Sequence, residues 1–107
     1  MTTGKRLLQR VAPFSKMVKG LAHPYRIAIV YLLAHEPMWG EDLAHHLRIK
    51  ENLLMHHLKA MYRAGWLTKE QDGRHKLYKL RARAFKELPG ILEETPFWRD
   101  FLKKIKD

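Results

Sequence analysis

The 107-residue chain has no cysteine. Disulfides, thiolate metal ligands and thiol redox sensing are therefore excluded. It has no run of about 18 apolar residues, so no segment is expected to span a membrane. It has no internal repeat and no low-complexity stretch. Its N-terminal stretch carries Lys5, Arg6 and Arg10 inside an apolar pattern and shows no signal-peptide core; a cytoplasmic location is expected. There is no nucleophile elbow, no phosphate loop and no convincing pair of carboxylates, so an enzyme is not expected. Acidic residues are few, 11 against 21 Lys and Arg, which leaves a formal net charge of +10. That imbalance favours a polyanionic partner, bound more weakly as salt rises because counterions are released. The alternative, that the charge only keeps the chain soluble, is weighed by where the charges sit. With 46% hydrophobic and 30% charged residues, the composition suits one small folded domain over residues 1–107.

The most informative stretch runs from Gly40 to Leu80. Leu43, Ala44 and Leu47 recur at helical spacing and predict a short helix. Arg48-Ile49-Lys50 reads as a turn with Ile49 as its apolar plug. A longer helix is expected from about Glu51 to Ala64, where Leu54, Leu58 and Met61 share a narrow arc facing a core. The opposite arc holds Asn52, His56, Lys59 and Arg63, with Met55 and Glu51 on its flank. Taken alone, such a stripe is often just a solvated face. Gly65 is placed to end the helix. Strand character begins at Trp66, and Asp72-Gly73 is a strong hairpin signal, read here as the two turn positions with positive φ. The hairpin carries Lys69, Arg74, His75 and Lys76. A basic hairpin directly after a helix-turn-helix lets a helix enter the major groove while the hairpin touches phosphate.

In order and spacing the chain resembles the ArsR-type winged helix-turn-helix regulators. The residues that carry the resemblance are Leu21-Ala22-His23-Pro24-Tyr25-Arg26-Ile27, Asp42-Leu43-Ala44, His57-Leu58, Ala64-Gly65-Trp66-Leu67, Asp72-Gly73-Arg74 and Tyr78-Lys79-Leu80. The match covers residues of about 15–85. It implies a dimeric regulator that binds operator DNA and often answers to a metal or another small signal. Two departures stand out. Trp39 occupies the place where the family usually has a Ser or Thr cap, and the helix opening Lys50 to His57 is larger and more apolar than usual. Glu51 could accept from cytosine N4, and Met55 could meet a thymine methyl or a protein surface.

The flanking segments are expected to be helical. Leu7, Leu8, Val11, Phe14, Met17, Val18 and Leu21 fit one stripe, interrupted by Pro13, so the helix should kink or restart there. The helix after His23-Pro24 is apolar almost all round, which predicts a central, buried position. Arg26 is its charged exception, expected to pair with a carboxylate. Trp39, in the following connector, reads as a core filler or a partly open surface anchor. A short helix is expected from Arg81 to Leu88. A last helix should open with Thr95 as cap and Pro96 in the first turn. Its apolar face, Phe97, Trp98, Phe101, Leu102 and Ile105, either folds back or meets a second subunit. Resemblance to the family's terminal helices favours a homodimer interface made with Leu7, Val11 and Phe14.

Seven histidines invite a metal reading. Adjacent pairs such as His45-His46 and His56-His57 point about 100° apart on a helix and chelate poorly. No metal or cofactor is expected, although a site shared across a dimer stays open. His57 lies near the core arc, so packing and phosphate contact both remain readings for it. His56 and His75, if close to phosphate, would be favoured in their protonated forms, so mild acid should tighten binding. The expected fold is mainly α with a small β-hairpin: a winged helix-turn-helix (about 40–64, wing about 66–80) with dimerisation helices at about 5–20 and 96–106. The expected function is a sequence-specific DNA-binding transcriptional regulator, a repressor on an inverted-repeat operator. Lys50, Asn52, Met55, His56, Lys59, Arg63, Lys69, Arg74, His75 and Lys76 should make the DNA contacts. No effector can be read from the sequence. Two alternatives are a winged-helix protein interaction module that no longer reads DNA, and a winged-helix regulator of another family.

Overall fold

The structure is a computed structural model and describes residues 4–87, 90 and 95–104. The elements follow in the order α1 (Gly4–Lys19), α2 (Pro24–His35), β1 (Met38–Trp39), α3 (Gly40–Leu47), α4 (Glu51–Ala64), β2 (Leu67–Asp72), β3 (His75–Leu80), a 3-10 helix (Ala82–Lys86) and α5 (Pro96–Lys104). This is a mainly helical winged helix-turn-helix. The segment expected as a helix from Arg81 to Leu88 is the shorter 3-10 turn; Leu88 and Ile105 lie outside the described residues, as do the side chains of Trp98, Phe101 and Leu102.

Ile29, Leu33, Leu43, Ala44, Leu54, Leu58, Met61, Trp66, Leu67, Tyr78 and Ala84 form one buried cluster. It draws on both helices of the helix-turn-helix, on α2, and on the roots of the wing. Two helix ends use left-handed backbone. Arg48 (φ 54) closes α3, where backbone N–H groups return to the carbonyls of Ala44 and His45. Gly65 (φ 94) closes α4 in the same way onto Met61 and Tyr62, a conformation that glycine adopts at little steric cost. Trp39 sits at the N-cap of α3 and supplies no side-chain bond; Glu41 and Asp42 in the first turn complement the helix dipole instead.

Several elements depart from expectation, each for a physical reason. Pro13 does not divide the first helix. One helix runs from Gly4 to Lys19, and Pro13 lies on its exposed side. The helix α2 is not buried all round. Only Ile29 and Leu33 are buried, while Ile27 and Tyr31 are 54% and 66% exposed, so one apolar face of α2 remains on the surface. Trp39 is neither a loop residue nor a full core filler: with Met38 it forms a third strand, β1, on the outer side of β3, pairing Met38 with Tyr78 and Trp39 with Leu77. The hairpin turn is shifted by one residue. Asp72 pairs with His75, so Gly73 and Arg74 make the turn, and only Gly73 has positive φ (62°). Strand β2 starts at Leu67 rather than Trp66.

Trp66 instead anchors α1. Its indole N–H donates to the Met17 carbonyl at 2.6 Å, and its ring lies between Phe14 (6.3 Å, edge-on) and Phe85 (4.9 Å). Phe14, expected at a dimer face, is thus half-buried in the chain's own core. The same joint brings Gly20 against α4. A Cβ on Gly20 would lie 2.5 Å from the Ala64 Cβ and 3.1 Å from the Met17 carbonyl oxygen. Neither neighbour is the end of a flexible side chain, so Gly20→Ala should force α1 away from α4. A destabilisation of about 1–3 kcal/mol is expected, as for other overpacked sites. It should appear as a lower urea midpoint with an unchanged slope; an unchanged midpoint would show that the joint yields freely.

Candidate nucleic-acid interface

The outer face of α4 is set by its inner face. Leu54, Leu58 and Met61 are fully buried, and at about 100° per residue the opposite side carries Asn52, His56, Lys59 and Arg63. All four are exposed, and no segment among the described residues covers them. Lys50, at the N-cap of α4, is exposed as well. The two flanks of this row differ. Met55 and Tyr62 look toward the wing, and His57 looks toward α2.

Between α4 and the wing lies a groove of 220 Å³ lined by Lys59 and Arg63 from the helix, Lys69 and Lys76 from the hairpin, and the ring of Tyr62. Two strands and a helix therefore bring four cations to one channel. Lys69 sits 4.3 Å above the Tyr62 ring, which holds its ammonium over the groove. Toward the N-terminal ends of α3 and α4 the character changes. A smaller pocket of 140 Å³ is lined by Glu41 and Glu51 together with Arg74 and Lys76. The basic end of the face is thus the end nearer the C-terminus of α4.

The structure places the expected contact residues unevenly. Asn52, His56, Lys59, Arg63, Lys69 and Arg74 are exposed on the α4 and wing surfaces. The Asn52 side-chain oxygen accepts from the Leu53 backbone N–H at 2.9 Å, leaving its amide NH₂ to point outward as a donor. Met55 is half-buried, and its sulfur lies 3.9 Å from the Tyr78 hydroxyl, so it serves as much to seat the wing as to face outward. Burial, with Glu41 nearby, pushes the Tyr78 phenol up, which keeps that hydroxyl protonated as a donor. Lys76 is half-buried between the two pockets. His75 already has a partner: its Nδ1 lies 2.9 Å from Glu41 Oε1 at the start of α3, and its ring packs edge-on to Trp39 at 6.2 Å. His57 is a core group, only 4% exposed. Among the described residues Arg26 finds no carboxylate. Its Nε donates to His57 Nδ1 at 3.1 Å and its Nη1 to the Gly20 carbonyl at 3.3 Å.

The Glu41–His75 and Tyr62–Lys69 pairs were not foreseen from sequence. The first joins residues 34 apart, and no helical or strand periodicity relates them. Among the described residues, no group of three or more His, Cys, Asp or Glu comes close enough to hold a metal ion. None of their helices is long and apolar enough to cross a membrane.

Residues 23–69, which span the second helix through the first wing strand, match the family described as "Bacterial regulatory protein, arsR family". Over these residues the chain is similar to the ArsR-type winged helix-turn-helix regulators. That family is one of regulatory proteins, not of enzymes. The chain is 37% identical over 65 residues to the HTH-type transcriptional repressor SmtB of Mycobacterium tuberculosis, a match covering 61% of the chain and 48% of the relative. The chain thus spans about half the length of the curated relatives it matches. Its fold is shared with an ArsR-like transcriptional regulator from Rhodococcus sp. RHA1 (TM-score 0.71, 21% identity, 92% of this chain and 93% of the other). It is shared also with a homodimeric winged helix-turn-helix DNA-binding domain from Mycobacterium bovis (TM-score 0.66, 21% identity, 86% and 89%). At these identities the likeness speaks for the fold.

The Glu41–His75 pair has a definite pH signature. Its bond to Glu41 holds the His75 imidazole above the ordinary 6.5, and the same bond holds the Glu41 carboxyl below 4.5. The link is complete where His75 is protonated and Glu41 ionised. It weakens as pH rises through the raised His75 value, and again as pH falls through the lowered Glu41 value. In Glu41→Gln, the His75 ring resonances should titrate at lower pH than in the wild type. Identical midpoints in the two proteins would show that the pair does not persist in solution.

Proposed function

We propose that the chain is a sequence-specific DNA-binding transcriptional regulator, a repressor acting in the cytoplasm as a homodimer on an inverted-repeat operator. The observation that carries this reading is the uncovered row Asn52, His56, Lys59 and Arg63, running beside a groove that adds Lys69 and Lys76. The row suits the floor of a major groove, and the wing cations suit the adjoining phosphates. Asn52 and His56 are assigned to base edges, with Met55 at their margin. Lys50, Lys59, Arg63, Lys69, Arg74 and Lys76 are assigned to the backbone. His75 takes a lesser part, because Glu41 already shares its charge.

Exposed apolar groups outside this row support the dimer. Leu7 and Leu8 of α1, Ile27 and Tyr31 of α2, and Phe97 of α5 are exposed apolar groups, more than an isolated small domain usually leaves in water. Two copies would double the formal charge of +10 to about +20 and present two α4 helices about one DNA turn apart. One observation favours the interaction-module reading: Leu53, at the head of α4, is 41% exposed beside Glu51, an unusual pair for a DNA-facing end.

Binding to duplex DNA at low and raised salt separates the two readings. The regulator should bind mixed-sequence duplex at low salt and lose affinity steeply as salt rises; no binding at low salt would favour the interaction module. Lys59→Ala should weaken binding to all duplexes and lower the salt slope by about 1. Asn52→Ala should instead shift preference among sequences, by about 1–3 kcal/mol at one position, in a selection from random duplex. For the dimer, sedimentation should report a monomer when Leu7 and Leu8 are both changed to Asp, with helical content retained. A dimer that survives this change would place the interface elsewhere.

A further inference from the structure

His57 is the one buried polar residue among the described core, and it sits on the helix assigned to DNA. Its setting is drawn from three elements. Arg26 of α2 donates to its Nδ1 at 3.1 Å. The His23 ring, at the α1–α2 junction, lies tilted against it at a centroid distance of 4.5 Å, and Tyr25 meets it edge-on at 5.6 Å. His56, its neighbour on α4, lies at 5.3 Å. The Arg26 guanidinium also reaches the Gly20 carbonyl, the point where α1 is pressed onto the end of α4. Arg26 thus ties the end of α1 and the body of α2 to α4 through a single ring nitrogen.

The direction of the Arg26 bond defines the state of that ring. A guanidinium can only donate, so His57 Nδ1 must hold a lone pair and the ring must be neutral, with its proton on Nε2. His23 is committed in the same way, since its Nδ1 accepts the Tyr25 backbone N–H at 3.1 Å as the cap of α2. No carboxylate faces His57 from α2, from the α1–α2 junction or from the neighbouring turns of α4. The ionisable groups around it are His23, Tyr25, Arg26 and His56.

We propose that Arg26 and His57 are positioning residues for the DNA-reading helix, and that a proton on His57 releases the helix from α2. This rests on the assignment of α4 to DNA and adds a control to it. A protonated His57 can no longer accept from Arg26 at Nδ1, and it sets a second cation beside the guanidinium. The ring must then swing away, or the His57 flank of α4 must lift. Asn52 and His56 share that helix, so the row that meets base edges turns with it. Burial first, then the charges of His23, Arg26 and His56, hold the His57 imidazole below its ordinary 6.5. The neutral ring's contribution is therefore complete above that value and is lost as pH falls through the lowered one. The sign is opposite to that of an exposed histidine beside phosphate, whose protonation would tighten binding.

The test compares the wild-type chain with His57→Asn, whose side-chain oxygen can accept from Arg26 at the Nδ1 position and takes up no proton. The probe is the tightest duplex recovered from a random pool, at constant salt, between about pH 7.5 and pH 5.5, which brackets the ordinary histidine value. The wild-type affinity should fall relative to His57→Asn by about fivefold or more across that range, because every other ionisable group is common to the two proteins and cancels in the ratio. Without DNA, the wild-type His57 ring should titrate below ordinary histidine, and the backbone amides of Leu54 and Leu58 should shift with the same midpoint. A ratio constant with pH, or α4 amides that ignore the His57 titration, would overturn the proposal. If neither protein binds any duplex, the assignment of α4 to DNA fails, and the DNA-free titration still decides whether His57 holds the helix. If His57→Asn does not fold, that wild-type titration decides alone.

Discussion

The inner face of α4 is the constraint on which the rest depends. Leu54, Leu58 and Met61 have essentially no contact with solvent, and each is worth about 1.5–3 kcal/mol relative to exposure. Turning the helix by one residue, about 100°, would lift that face out of the core and carry charged side chains in. Burial therefore sets the rotation of α4 to within one residue step, and the Arg26–His57 bond on its flank adjusts it within that limit. Left-handed Arg48 ends α3 and left-handed Gly65 ends α4, so the row starts after the turn and stops where the wing begins.

The wing is held to this helix by small polar and aromatic contacts, not by a core of its own. Tyr78, buried on β3, seats the hairpin and meets Met55 on α4. The short strand β1 shields the outer edge of β3. Beyond those roots β2 is exposed from Thr68 to Asp72, and its placement relies on Glu41 with His75, Lys79 with Glu70 (3.0 Å) and Lys69 over Tyr62. Each such exposed pair is weak.

At the other end the chain is held by Trp66 and Gly20. The Trp66 indole bonds to Met17, and Gly20 lets the backbones of α1 and α4 approach closely. This explains why Phe14 turns inward although it lies in the same apolar stripe as Leu7 and Leu8. The stripe is longer than the surface one domain offers it: its C-terminal part covers Trp66, and its N-terminal part extends past the core, together with exposed Ile27 and Tyr31 on α2.

Local pattern carried much of this in the sequence itself. The extents of α3 and α4, the glycine that ends α4, the presence of a hairpin near Asp72-Gly73, and the outward stripe from Asn52 to Arg63 all follow from residue spacing, because helical period and turn chemistry act over a few residues. What the sequence could not settle were matters between distant segments. A two-residue strand at Met38-Trp39 exists only because β3 offers it an edge. Arg26 meets a histidine instead of a carboxylate, His75 is claimed by Glu41, and half of an apolar stripe turns inward. Each of these depends on which surfaces the packed helices bring within a few ångströms of each other. Periodicity can say which way a side chain points, but only the folded chain decides what it meets there.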